Sequence, residues 1–228
     1  PEWPEGIGRI WDKEAPPVAL SEYLELVREF DRQQGNLTVT PRFYPGSPAL
    51  ARMLLRPVDR MVCCEKHPAE CAALEAALGG GERLEVRESD GYAAIRACLP
   101  PRERRALVLL DPPYEAADEF AQMVGALRAA LRRLASGVLA AWYPLTERAR
   151  VEEFLLAVRT LNPPPSLLVE LAVAGEAAAQ KMKGCGLLVI NPPWQFDIQA
   201  REMIAFLTQA LAQAPGGGGR VEWVVPPT

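Results

Sequence analysis

Between Ala106 and Tyr114 four apolar residues, Leu107 to Leu110, run without a break into Asp-Pro-Pro-Tyr. An unbroken apolar run this short is the pattern of a strand inside a parallel sheet, covered on both faces. Asp111 then stands where the strand leaves the sheet, at the carboxyl edge along which open α/β sheets bind their ligands. Pro112 and Pro113 each fix φ and lack an N–H, so the turn is stiff and offers acceptors without donors. Tyr114 adds a flat ring beside them. Such a turn suits one task well, which is holding an exocyclic amine on a planar base.

The remaining chain alternates strand and helix. Arg60 to Cys64 reads as a strand ending at Glu65, and Leu84 to Glu88 as one ending near Asp90. Helical spacing covers Pro68 to Leu78, Tyr92 to Leu99 (with Asp90 as cap), and Glu115 to Leu134. Val138 to Tyr143 is a further strand, followed by a helix from a Thr146 cap to Leu161. Ser166 to Val173 and Leu187 to Ile190 have only a loop between them, too short for a helical crossover, and are predicted to pair antiparallel. Ile198 to Ala212 and Val221 to Val225 close the chain as helix and strand. Repeated βα units point to a doubly wound sheet. Residues 1–46 lack a strand and read as a small helical subdomain, with Leu20, Leu24, Val27 and Phe30 on one helix face. The α/β core spans 47–228, opening at Ser47, an N-cap candidate with Pro48 behind it.

Composition narrows the function. A formal charge of −4 over 228 residues argues against diffuse, charge-driven nucleic-acid binding, so any such site must be a local basic patch. Candidate basic clusters are Arg102, Arg104, Arg105, then Arg128, Arg132, Arg133, and the pair Lys181 and Lys183. The first two read mainly as solvated faces. The lysines, in a loop before a late strand, are the better phosphate contacts. His67 is the only histidine, and the five cysteines show no metal spacing, so neither a zinc site nor a Ser-His-Asp triad is expected. The cysteines read as buried thiols of a cytoplasmic protein. No apolar run is long enough to cross a bilayer, and Pro1-Glu-Trp-Pro-Glu has no secretion-signal pattern.

Strands ending in turn at Glu65, Asp90 and Asp111, with a late antiparallel pair, resemble the class I (Rossmann-like) S-adenosylmethionine-dependent methyltransferase sheet. In that fold Glu65 would accept from a ribose. Asp90 would accept from the adenine amine of the cofactor, and Gly91 would let it approach. Asp-Pro-Pro-Tyr resembles the signature of amino-group methyltransferases, whose best-known members modify N6 of adenine. An aromatic amine is a poor nucleophile because its lone pair is delocalised into the ring. Accepting its protons, through the Asp111 carboxylate and the Pro112 carbonyl, restores tetrahedral character, with Asp111 an orienting acceptor and a weak base. Tyr114 would stack on the base. A second turn, Asn191-Pro-Pro-Trp194, carries the same motif, but chain order places it after the late pair and reads it as structural.

The chain as a whole resembles the RlmJ family of 23S ribosomal RNA adenine-N6 methyltransferases, also known as the competence-related family. The stretches that carry the resemblance are Glu5-Gly-Ile-Gly-Arg-Ile-Trp, Arg42-Phe-Tyr-Pro-Gly-Ser-Pro-Ala-Leu-Ala-Arg, Glu65-Lys-His-Pro, Asp90-Gly, Leu110-Asp-Pro-Pro-Tyr-Glu, Ala141-Trp-Tyr-Pro and Val189-Ile-Asn-Pro-Pro-Trp. The resemblance implies a cytoplasmic enzyme using S-adenosyl-L-methionine, with ribosomal RNA as substrate; the chemistry itself requires no metal, and a monomer is expected. It implies cofactor contacts at Ser47, Glu65, Asp90 and Gly91, with Asp111 both at the cofactor and catalytic, and a front section inserted in the fold. The catalytic turn would be Asp111, Pro112, Pro113 and Tyr114; substrate contacts would be Tyr114, Lys181 and Lys183. The first strand and Gly-rich turn of such a sheet, which cradle the methionine end of the cofactor, have no counterpart ahead of Glu65, so a segment preceding Pro1 is expected. Two other readings stay open: a DNA adenine-N6 methyltransferase, and a non-catalytic RNA-binding relic of the fold.

Overall fold

The computed structural model describes residues 3–179 and 181–227, in two compact units, Pro1–Ala94 and Ile95–Thr228. The first begins with two short 3-10 turns, Trp3–Glu5 and Ile7–Arg9, and helix α1, Val18–Gln33. Leu20, Leu24 and Val27 are buried on α1, as their spacing predicts, but the fourth buried position is Asp31 rather than Phe30. Asp31 is tolerated inside because Asn36 Nδ2 donates to it at 2.6 Å and the backbone N–H groups of Phe43 and Arg42 donate at 2.8 and 3.2 Å. Burial alone would raise this carboxyl. The three donors outweigh it and hold the group below the ordinary aspartate range.

Helix α2, Ser47–Leu54, begins at Ser47 itself, with Gly46 as its N-cap and no side-chain cap. Strands β1, Met61–Glu65, and β2, Leu84–Glu88, pair in parallel with Glu65 opposite Glu88, and α3, Pro68–Leu78, forms the crossover between them. Helix α4, Gly91–Cys98, starts on the predicted cap, since Asp90 Oδ1 accepts from the Tyr92 N–H at 2.9 Å.

The second unit is a five-stranded sheet in the order β3-β4-β6-β5-β7. Its strands are Leu107–Leu110, Val138–Pro144, Ser166–Ala172, Gly184–Ile190 and Gly218–Val225, numbered β3 to β7 along the chain. Helices α5, Glu119–Arg133, α6, Arg148–Arg159, and α7, Phe196–Ala210, connect them. β3 and β4 are parallel, β5 and β6 form the expected antiparallel pair, and β7 adds antiparallel to β5. Helix α6 starts on Glu147 rather than Thr146, again without a side-chain cap.

Full coverage of β3 is not found: Leu107 is 71% and Leu109 48% exposed. The strand is outermost in its sheet and pairs with β4 alone. Its two exposed leucines alternate with Val108 and Leu110, so one face is open and the other is packed. The thiols are also less hidden than expected; Cys71 is buried and the other four are half-buried.

Inside the second unit a charge network crosses the sheet. Tyr143, Gly186 and Glu170 stand side by side on β4, β6 and β5. The Tyr143 ring reaches over Gly186, where a Cβ would collide with it, and its hydroxyl donates to Glu170 Oε1 at 2.9 Å. Arg148 Nη1 donates to both oxygens of Glu170 at 2.9 Å, with Arg220 at 3.7 Å. Glu170 is only 2% exposed, and these partners are what make its burial tolerable.

Candidate active site

Leu110 lies opposite Ala141 on β4, so Asp111 leaves the sheet at the carboxyl edge beside Trp142. The residue is exposed, yet partial loss of water pushes its carboxyl above the ordinary aspartate value. Two residues after the first proline, Tyr114 adopts φ 54°, a left-handed conformation rare for an aromatic. Its hydroxyl donates to the Trp142 carbonyl at 2.7 Å. The ring is packed against Phe120, 5.1 Å away between centroids, and edge-on to Trp142 at 5.9 Å. Phe120 in turn packs on Phe154 at 5.2 Å, which lies against Tyr143 at 5.5 Å. Burial drives the Tyr114 phenol well above its usual range, and the charges of Glu119 and Asp111 add to the shift. The hydroxyl is therefore a structural donor. What Tyr114 can offer a ligand is the uncovered part of its ring.

The loop carrying Lys181 and Lys183 reaches the same edge. Lys183 N–H donates to the Leu145 carbonyl at 3.0 Å, just past the end of β4, and the Leu145 N–H returns to Gly184 at 2.9 Å. Lys181 is exposed and Lys183 half-buried. Cys185, which follows, is raised mainly by burial, drawn back by a hydrogen bond with Trp142, and raised again by the charge of Asp111.

Asn191-Pro-Pro-Trp194 lies at the other edge. Because β6 is antiparallel to β4, Ile190 stands opposite Leu139, at the start of β4 rather than its end. Asn191 Nδ2 donates to the carbonyls of Ala135 and Gly137, both at 2.8 Å, and its N–H to Pro165 at 2.8 Å. Its amide is committed to holding the turn together, in agreement with the structural reading.

In the first unit β1 and β2 end together, which brings Glu65 and Asp90 to one strand edge. Glu65 Oε1 accepts from the His67 N–H at 2.8 Å, and the Ser89 N–H donates to the Glu65 carbonyl at 2.9 Å. The Ser89 hydroxyl is buried there with no partner among the described residues, an orphan polar atom beside two acceptor carboxylates. Gly91 presents no side chain at the start of α4, and a Cβ there would meet Cys64 at 3.9 Å. Ser47 opens α2, which packs against α3, the helix that follows Glu65. Two carboxylates, an orphan hydroxyl and a glycine fit the hydroxyls and amine of a nucleoside.

The sequence did not indicate the Tyr114 hydrogen bond or the Tyr143–Glu170–Arg148 network. Both depend on which strands become neighbours, although Ala141-Trp-Tyr-Pro marked the right stretch. Among the described residues no group of His, Cys, Asp and Glu side chains could hold a metal ion, and no helix is long and apolar enough to cross a membrane.

Residues 1–225 match the family described as ribosomal RNA large subunit methyltransferase D, RlmJ. The chain is 35% identical over 225 residues to ribosomal RNA large subunit methyltransferase J of Escherichia coli (strain K12), covering 99% of this chain and 79% of that protein. The protein of the same name from Haemophilus influenzae (strain Rd) is 34% identical over the same shares. A crystal structure of a DUF519-family protein from Legionella pneumophila str. Philadelphia 1 superposes with a TM-score of 0.84 at 32% identity, covering 97% of this chain and 80% of that one. Its α/β architecture and the match along nearly its whole length make this chain a member of the RlmJ family of ribosomal RNA large subunit methyltransferases.

Proposed function

We propose that this chain transfers the methyl group of S-adenosylmethionine to N6 of an adenine in 23S ribosomal RNA, as a cytoplasmic monomer. The observation that carries this reading is the Asp111 turn: an exposed carboxylate at a parallel strand end, in a donor-free Pro-Pro turn, beside a ring whose hydroxyl is already tied down. In the proposed assignment Glu65 and Asp90 accept from the ribose and adenine amine of the cofactor, with Gly91 and Ser47 alongside. When bound, the cofactor supplies an electrophilic methyl group on a sulfonium. Asp111 and the Pro112 carbonyl accept the two amine protons, which localises the lone pair on the nitrogen. Pro112 and Pro113 fix that geometry in advance, so little ordering cost remains at the moment of reaction. The raised pKa of Asp111 makes its carboxylate a better acceptor for the departing proton than an ordinary aspartate. Tyr114 stacks on the extruded base, and Lys181 and Lys183 take phosphates on either side of it.

The test supplies labelled S-adenosylmethionine with unmodified 23S ribosomal RNA or duplex DNA, and digests each to nucleosides. Label in RNA N6-methyladenosine is expected, falling at least about a hundredfold in Asp111→Asn. Label in DNA alone would overturn the substrate, and none in either polymer would overturn the enzyme. Folding places Asp111 above its unfolded pKa, so its cost is absent below the unfolded value and appears as pH rises through the folded one. Asp111→Asn is therefore expected to be inactive yet at least as stable as the parent at neutral pH. Parent activity should fall as pH drops through that raised carboxyl pKa.

A further inference from the structure

The two arginine clusters that read as solvated faces in the sequence lie at the same edge of the sheet in the second unit. Arg102, Arg104 and Arg105 lie on the loop that enters β3, and Arg128 and Arg132 lie near the end of α5. Helix α5 runs back from the carboxyl edge, so its end and that loop meet at the amino edge of the sheet. Arg133 Nη1 donates to the Leu99 carbonyl at 3.0 Å, tying the loop to the helix, and the Val138 N–H donates to Ala106 at 3.0 Å.

Beside this seam is an open groove of about 620 Å³, walled by Arg128 and Arg132 from α5 and by Thr160 to Pro164 beyond α6. No carboxylate lines it. All five arginines are exposed, and none forms an ion pair with a described residue. Compensation of the helix dipole would account for Arg132 and Arg133 in the last turn of α5. It does not account for Arg128, a turn earlier, or for the three loop arginines. Next to the groove, the Asn191 turn is pinned to Ala135 and presents Trp194, 89% exposed. A protein of net charge −4 that gathers unpaired arginines and an exposed indole on one edge has the local basic patch its overall charge lacks.

We propose that this amino edge is a second RNA-contact surface, where Arg102, Arg104, Arg105, Arg128 and Arg132 take backbone phosphates of the substrate at a distance from the base that Asp111 receives. The proposal rests on the RNA reading above and adds to it where the rest of the polymer is held. β4, with seven residues, separates the two edges by about 20 Å. Only an RNA that extends well past the target adenine can reach both. Guanidinium forks suit phosphate oxygens and carry no sequence preference, so this surface sets affinity and register rather than the choice of base.

The experiment measures equilibrium binding across salt concentrations for the parent, Arg128→Gln/Arg132→Gln and Arg104→Gln/Arg105→Gln. Each is given 23S ribosomal RNA or a short oligoribonucleotide holding only an adenine and its flanking nucleotides. For the long RNA, each double variant should bind roughly tenfold more weakly at low salt and lose about 2 from the slope of log K against log salt. For the short oligonucleotide all three proteins should bind alike. Arg128→Lys/Arg132→Lys, which keeps the charges, should recover most of the slope. Unchanged slopes with methylation of 23S RNA intact would overturn the surface alone. Equal losses on short and long RNA would also overturn it, since the arginines would then act at the catalytic edge. A parent that neither binds nor methylates 23S RNA would overturn the RNA reading, and this surface with it.

Discussion

Replacing Tyr114 by Phe and by Ala separates what its hydroxyl does from what its ring does. Phe keeps the packing on Phe120 and Trp142 and loses the single 2.7 Å bond to the Trp142 carbonyl. One part-buried hydrogen bond is worth about 1 kcal/mol, or about 3 °C in melting temperature for a chain of this size. Ala forfeits that bond and two aromatic pairs, for about 3 kcal/mol and about 8 °C. Function should divide differently. If the ring carries the base, Ala removes a stacking contact worth about 1–3 kcal/mol, which lowers kcat/KM for RNA by about 5- to 150-fold. Phe should stay within about threefold of the parent, because the hydroxyl is bound to the backbone and its pKa lies far above the working range. Melting curves and single-turnover methyl transfer on the same preparations give both numbers. A Phe variant as inactive as Ala would show that the hydroxyl takes part in the chemistry. An Ala variant with the parent's kcat/KM would show that the base never touches this ring. Either result refutes the assignment.

Asp31→Ala strands the Asn36 amide and two backbone N–H groups in a buried loop anchor and should cost about 3 kcal/mol, read by denaturant melts. Because the folded carboxyl lies below its unfolded pKa, its contribution is present above about pH 4 and fades as pH falls through the folded value, so Asp31→Asn should flatten the acid limb of stability. Gly186→Ala places a Cβ inside the Tyr143 ring and should destabilise by about 3 kcal/mol or more; Gly186→Ala combined with Tyr143→Ala should cost less than the two singly, a coupling that a double-mutant cycle measures. Asn191→Ala loses two side-chain bonds and leaves Ala at φ 54°, for about 2 kcal/mol of stability with kcat unchanged; a large kcat loss would mean that the wrong Pro-Pro turn was assigned to the chemistry.

Element order was legible because each element signals locally: β1 and β3 to β6 are short, mainly apolar runs, β2 alternates apolar and charged residues, and the helices carry their own periodicity and stops. What escaped the sequence was decided by neighbours. Phe30 and Asp31 exchange places in the α1 core because the loop 36–43 folds back and supplies three donors to a carboxylate, which no periodicity can foresee. The exposure of Leu107 and Leu109 follows from one face of β3 being left uncovered, which depends on what packs on the sheet and not on the strand's own residues. Ser47 and Thr146 carry the residue type of an N-cap, yet their helices start on Gly46 and Glu147 without a side-chain cap. At the candidate site the residue types were legible, and the tethering of Tyr114 was not.

The two Pro-Pro turns show how little of a site resides in its motif. Asp111-Pro-Pro-Tyr and Asn191-Pro-Pro-Trp each follow a short apolar strand, each offers an oxygen acceptor and two prolines, and each ends in an aromatic. Both also contain a residue at φ 54°, but at Tyr114 in the first and at Asn191 itself in the second. Strand direction separates their fates. β3 is parallel to β4 and delivers Asp111 to the carboxyl edge; β6 is antiparallel and delivers Asn191 to the amino edge. There the side chain closes on the carbonyls of Ala135 and Gly137, which an amide can do by donating and a carboxylate cannot. At the first turn a side chain with acceptors alone stays exposed, open to donors from water or from a ligand. The same grammar thus makes a brace at one edge and an open acceptor at the other. If the amino edge also holds RNA, the brace that pins Trp194 beside the arginine groove has a role in substrate binding without any in the chemistry.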